Sequence, residues 1–304
     1  MKIGVQTANI VSVTDPSRIE EGFRLIHEAG FDCVDFNIDG LYPYGDIVKG
    51  VRPEFFDKSD EEILAYFAPY KAAAEKYQVA FHQAHAPFPT YVAKEPNDAL
   101  VLNSLRKTIM VCGYLNCRYV VVHPHFLGYH DKLPPEEEWR VNIERYSLLI
   151  DEAKKHDVVI CLENMFVSNR GRIYGAICSE MSEAVRYIDA LNEIAGEKRF
   201  AFCFDTGHSL LASKDIYSAI MELGPRLAIL HIHDNNGLQD QHLFPYTGIV
   251  DWDRFVQGLK DVGYQGVLSF ETANALNVYP AAVKAEALKL LSAIGRDFVR
   301  RIEG

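Results

Sequence analysis

The chain has 304 residues, 48% of them hydrophobic, and a formal net charge of -11 at neutral pH. The acidic balance argues against a surface built to hold nucleic acid by long-range attraction, and there is no run of about 18 apolar residues to span a bilayer. The length allows a large core, and α/β barrels reach this size unbroken.

The opening MKIGVQTANI predicts a strand over 2–7 and lacks the long apolar core of a signal peptide. A helix over 17–29 carries Ile19, Phe23, Leu25 and Ile26 beside polar positions, and a strand follows at 33–38. The helix at 59–77 opens at Ser59 with acidic residues in its first turn, and Ile63, Leu64, Phe67 and Tyr70 recur at helical spacing. Next come strand 79–84, helix 97–114, strand 118–123 and helix 135–156, which Pro134 and Pro135 open. Strand 158–163, helix 180–194, strand 200–205, helix 215–224 starting at Asp215, strand 227–232, helix 252–262, strand 266–271 and helix 281–302 complete the chain. Gly30, Gly263 and Gly266 punctuate the approaches to strands.

The strand runs are continuously apolar, as parallel strands covered on both faces are. Eight strand–helix repeats without a composition shift predict an α/β fold, a (β/α)8 TIM barrel forming a single domain over 1–304. The longer insertions at 39–56, 86–96, 124–134, 164–179 and 233–251 each follow a strand, which puts them on the C-terminal face where barrels keep their active sites. The six cysteines form no CxxC pair and several lie in apolar runs. A reducing, cytoplasmic setting without disulfides is the expectation.

The strand ends carry the chemistry. The third strand runs into HQAHAPF with His85, the fourth into VVHPH with His123 and His125, and the fifth ends in CLEN with Glu163. The sixth gives FDTGH with Asp205 and His208, and the seventh gives HIHDNNG with His231, His233 and Asp234. Its loop adds DQH with Asp240 and His242, and the eighth strand ends in SFET with Glu271. In a barrel these ends surround one mouth. Several anions at the edge of an apolar core are costly unless paired or bound to cations, so the joint pattern predicts a metal site. Oxygen and imidazole donors without thiolate suit manganese, zinc, cobalt or iron, and imidazole weighs against magnesium. Cys161 and Cys203 share the facing of Glu163 and Asp205 one layer deeper, and are expected to be core packing.

Together HAPF at 85–88, VVHP at 121–124, LEN at 162–164, FDTGH at 204–208, HIHDN at 231–235, DQH at 240–242, DW at 251–252 and FE at 270–271 make the chain resemble the xylose-isomerase-like barrel superfamily. That group holds sugar and sugar-phosphate isomerases and epimerases, inosose dehydratases and the endonuclease IV type of repair enzyme. The resemblance implies one divalent ion held by Glu163, Asp205, His231 and Glu271. His231 is preferred over His233 because the family ligand stands three residues before an acid, here Asp234. The endonuclease IV branch adds ligands at positions matching His85, His123, His208, Asp240 and His242, so two or three ions are compatible with the chain. Two departures stand out: the first glycine of the family's Pro-Gly-x-Gly turn is Tyr246, and the further glutamate of ketose 3-epimerases is replaced by Asn169.

The resemblance therefore implies isomerisation or epimerisation of a small sugar, sugar phosphate or polyol derivative through an enediolate. Glu163 and Glu271 would act as the acid/base pair, with His208 bonding a substrate oxygen. His123, Asn164 and His233 are expected to orient the ligands by hydrogen bonds. Phe244 and Tyr246 are read either as an apolar wall for the sugar or as a loop packed on its neighbour, and Phe126, Tyr129 and Trp139 as capping a pocket, serving an interface or packing locally. A dehydratase would use the same base and metal. Phosphate-ester hydrolysis by two or three ions is the rival reading. Arg170, Arg172 and Lys94 form no basic stripe among Glu95, Asp98, Asp240 and the acidic 136–138 run, which disfavours a nucleic-acid partner. A homo-oligomer is compatible with the sequence.

Overall fold

The computed structural model describes residues 1–304. The apolar runs form strands β1 (Lys2–Gln6), β2 (Cys33–Asn37), β3 (Ala80–His85), β4 (Tyr119–Val121), β5 (Val159–Glu163), β8 (Phe200–Asp205), β9 (Leu227–His231) and β10 (Val267–Phe270). They pair in parallel in the order β10-β1-β2-β3-β4-β5-β8-β9. The ring closes where Ile232 bridges Phe270: the Ile232 N–H donates to Ser269 O at 2.9 Å and the Glu271 N–H donates to Ile232 O at 3.1 Å. The fold is thus an α/β barrel, as the repeats predict.

Helix boundaries follow the sequence signals. Ser59 caps Asp60–Lys76 with a complete capping box. Asp215 caps Ile216–Leu223 by accepting from the Ser218 N–H, and Asp251 caps Trp252–Asp261 by accepting from the Arg254 N–H. Between barrel and helices lies an aromatic core in which Phe36 meets Phe81 at 5.1 Å and Tyr70 at 5.5 Å, edge to face.

Two expectations change. The helix expected over 135–156 is two, Pro135–Ser147 and Ile150–Lys155. A tight i→i−3 bond from the Leu149 N–H to Tyr146 O breaks the register there, so Leu149 is buried while Leu148 is exposed. The insertions also hold structure of their own. Residues Phe166–Asn169 (β6) and Arg172–Gly175 (β7) form an antiparallel hairpin, and short helices span Tyr44–Lys49, Thr206–Leu211 and Ala273–Asn277.

Inside the barrel the layers differ in chemistry. Val121, Val159, Cys161, Cys203 and Ile229 form an apolar plug. All six cysteines are free and buried. Above the plug, toward the C-terminal ends of the strands, the buried side chains turn polar: Gln6, Asp35, Gln83, Glu163, Asp205, His231 and Glu271.

Candidate metal and catalytic centre

The end of β8 shows how the sequence builds the site. Asp205 closes the strand and caps the helix Thr206–Leu211, accepting from the His208 N–H at 2.6 Å. The cap places the His208 ring over the mouth, where its Nδ1 lies 3.0 Å from Asn164 O. Asn164 clamps the Asp205 backbone from the neighbouring strand end, donating to its carbonyl at 2.9 Å and accepting from its N–H at 2.8 Å. Gly207 makes room: a Cβ there would stand 2.0 Å from His233 Cε1.

The loop after β9 is anchored in the same way. Asp234 is fully buried and accepts from the N–H groups of Asn235 and Val250 and from the Trp252 indole at 3.0 Å. Its backbone also pairs with Leu243. A Cβ on Gly248 would sit 2.3 Å from Asp234 Oδ1, so the turn needs glycine there. This network explains the spacing between HIHDN and DW, and it holds the segment bearing Asp240 and His242 against the mouth.

All nine candidate ligands come together. Glu163, Asp205, His231 and Glu271 each present one donor atom within 4.8 Å of the others; so do His85, His123 and Glu163; and so do His208, His233, Asp240 and His242. Glu163 joins the first two groups: its Oε2 is 2.9 Å from His123 Nε2, and its Oε1 is 3.2 Å from His231 Nδ1 and 3.3 Å from His208 Nδ1. His233 Nε2 lies 3.0 Å from Asp205 Oδ2, which links the third group to the first. The donor sets suit a divalent ion, and Asp240 Oδ1, shielded from solvent, has no hydrogen-bond partner. Cys203 also reaches Glu163 and His231. Burial pushes its thiol well above the ordinary range in the metal-free chain, and it packs with Cys161, Val121, Val159 and Ile229 in the apolar plug.

The electrostatics are those of carboxylates packed among imidazoles. Burial opposes the charge on Glu163, but His231, His123 and His208 together hold its carboxyl well below the usual range. Burial likewise opposes charge on Asp205, and His208 and His233 bring it down. Glu271 differs. Burial pushes its carboxyl up, His231 and His242 offset only part of that, and Asp205 and Glu163 add like-charge repulsion. Burial also works against protonating His242, yet Glu271 and Asp240 raise its pKa to about 9.

A cavity of about 300 Å³ opens onto these groups. His85, His123, Glu163, His208, Asp240, His242 and Glu271 line its polar side, and Phe88, Phe126, Met165 and Phe166 its apolar side. Phe88 packs on His123 at 4.7 Å and Phe166 on His208 at 5.0 Å. Phe126 therefore belongs to the pocket, whereas Trp139 stacks on Tyr187 at 4.4 Å and Tyr129 leans on Tyr174.

Phe244 and Tyr246 correct the reading of them as a sugar wall. Phe244 is buried, and neither residue lines the cavity. Tyr246 packs near Phe298 and Trp252 and accepts from Arg301. Its φ of +72° lies in the left-handed region that favours glycine. Sequence reasoning missed Gln6, Asp35 and Gln83. Gln6 Nε2 donates to Glu271 Oε1 at 2.7 Å, and Gln83 Nε2 donates to Asp35 Oδ2 at 3.0 Å. The available signal was a polar residue inside an otherwise apolar strand.

The comparisons agree with this architecture. A family model described as Xylose isomerase-like TIM barrel matches residues 23–294. An uncharacterized protein of Methanocaldococcus jannaschii, MJ1311, is 28% identical over 205 residues, covering 66% of this chain and 67% of its own length. A probable endonuclease 4 of Metamycoplasma arthritidis is 28% identical over 145 residues, 47% of this chain and 46% of that protein. The apo structure of the 3-keto-D-glucoside 4-epimerase YcjR from E. coli superposes with a TM-score of 0.71 over 98% of this chain and 99% of its own, at 18% identity, a likeness of fold. No helix here is long and apolar enough to cross a membrane. The chain belongs to the xylose isomerase-like TIM-barrel family.

Proposed function

We propose that the chain is a divalent-metal-dependent isomerase or epimerase of a small sugar, with Glu163 and Glu271 as its proton-transfer pair. The observation that carries this reading is that two buried glutamates in opposed electrostatic settings face one cavity of about 300 Å³ beside Asp205 and His231. Glu163, Asp205, His231 and Glu271 would hold manganese, zinc, cobalt or iron, whose positive charge lowers the cost of forming an enediolate.

Glu163 would accept a proton from the carbon beside the substrate carbonyl, with its carboxylate already in the ionised form. Glu271, the more readily protonated of the two, delivers one to the other face. Gln6 fixes the orientation of the Glu271 carboxyl by donating to Oε1. His208 offers a ring nitrogen to a substrate hydroxyl. Phe88, Phe126, Met165 and Phe166 exclude water from the apolar face of the sugar. No lysine or arginine lines the cavity, which favours an uncharged sugar over a phosphorylated one.

A second reading is favoured by the gathering of all nine candidate ligands into three groups. That arrangement suits two or three ions and phosphate-ester hydrolysis. The relative named as a probable endonuclease 4 supports it, and the net charge of -11 weighs against it.

The test is metal analysis of protein purified without added metal, followed by assay against free ketoses, their phosphates and an abasic-site duplex. Turnover of a free ketose, with little turnover of its phosphate, supports the proposal. Duplex cleavage at physiological salt without sugar turnover replaces it with the second reading.

A further inference from the structure

We propose that Asp35 is a positioning residue for metal binding. It holds the Nε2 side of the His231 imidazole from inside the barrel, so that Nδ1 is presented to Glu163, Asp205 and Glu271. The inference rests on the reading of His231 as a metal ligand.

Asp35 stands in the middle of β2, in register with Gln83 of β3, and is fully buried. Its Oδ2 lies 3.0 Å from His231 Nε2, its one ionic contact. The approach is bent, so neither His231 Nε2 nor Asp35 Oδ1 has an in-line hydrogen-bond partner. The one aligned donor to the carboxylate is the Gln83 amide, which also donates to Leu230 O in the strand that carries His231.

A carboxylate in a barrel interior is costly unless paired, and besides one neutral amide the only partner Asp35 has is the His231 imidazole. Buried ion pairs are often no more stabilising than apolar residues of the same volume, so the pairing of Asp35 with His231 points to a role beyond stability. His231 supplies the reason. Its Nδ1 lies 3.2 Å from Glu163 Oε1, 3.4 Å from Glu271 Oε2 and 3.9 Å from Asp205 Oδ2, while Nε2 faces away from all three toward Asp35. The ring thus has one nitrogen for the ion and one for a carboxylate. An Nε2–H held by Asp35 fixes the tautomer whose Nδ1 lone pair faces the ligand group, and makes that lone pair more basic. Gln83 keeps the Asp35 carboxylate from rotating away.

The experiment titrates Co2+ into chelator-treated protein and follows its visible absorption, with no sugar present. Wild type, Asp35→Asn and Asp35→Leu are compared, each also in a His231→Ala background. Apo melting temperatures are recorded alongside. Asp35→Leu is expected to weaken Co2+ about 10- to 100-fold, with Asp35→Asn in between and a shifted absorption band in both. The weakening should appear in variants whose apo protein still melts cooperatively from a native fold, and should vanish when His231 is already alanine. Unchanged affinity in Asp35→Asn overturns the proposal. So does an equal loss in the His231→Ala background, or wild-type protein that binds no Co2+. Failure of sugar turnover alongside an intact Asp35 effect would count against the sugar reading alone.

Discussion

Trp252→Phe is expected to destabilise the protein by about 3 kcal/mol. The indole N–H donates to Asp234 Oδ2 at 3.0 Å, and both residues are buried. A hydrogen bond to a charged acceptor contributes about 1.5–3 kcal/mol, and its loss leaves a buried carboxylate oxygen without that donor. The smaller phenyl ring, facing Phe298 at 5.4 Å and Phe255 at 5.5 Å, adds about 1 kcal/mol for the space left behind. The other tryptophan is a built-in control. Trp139 stacks on Tyr187 at 4.4 Å under the Arg186 guanidinium and donates no hydrogen bond within the protein, so Trp139→Phe loses ring packing and part of a cation–π contact but no indole hydrogen bond. Guanidinium unfolding, read at constant m value, measures both variants. The Asp234 network also holds the segment bearing Asp240 and His242, so Trp252→Phe should weaken metal retention at that group more than at Glu163. If Trp252→Phe costs no more than Trp139→Phe, the anchoring argument is wrong.

Two further outcomes follow from single contacts. Gly207→Ala should displace His233, because the new methyl carbon would stand 2.0 Å from its ring; lowered metal content in protein with a native circular-dichroism spectrum would register this, and wild-type metal content would refute it. Burial depresses the pKa of His82 to about 4, so the folded chain takes up this proton less readily than the unfolded chain, whose imidazole titrates near 6.5. Its contribution is present above pH 6.5 and is lost as pH falls toward 4, by at most about 3 kcal/mol. Replacing His82 with glutamine should flatten the stability profile in that window, and an unchanged slope between wild type and variant would contradict it.

The barrel was legible because its signals are local. Apolar runs give strands, and Ser59 and Asp215 mark helix starts at the residues where the caps form. The candidate ligands were legible because strand ends converge in a barrel whatever their separation in sequence. The choice between His231 and His233 rested on spacing to Asp234, and in the structure the two divide: His231 faces Glu163 and Glu271, while His233 faces Asp240 and His242. What escaped was pairwise. Nothing near Asp35 announces its partner His231, far along the chain, and a polar side chain inside a strand has no local signature for its role. For Tyr246 the sequence left two readings open, and its packing beside Phe298 and Trp252 agrees with the loop packed on its neighbour. The short hairpin Phe166–Gly175, which brings Phe166 to the cavity, closes on the left-handed pair Arg170–Gly171, a local turn signal the sequence reading passed over.

The central claim is proton transfer beside a sugar carbonyl by Glu163 and Glu271 with a divalent ion. Incubating metal-loaded protein with free ketoses in D2O and following the carbon-bound protons by NMR tests it most directly. The account predicts deuterium entering at the carbon next to the carbonyl, stopping when the metal is chelated and in Glu271→Gln. Folded, fully metal-loaded protein that washes no deuterium into any ketose, while cleaving an abasic duplex, would contradict it.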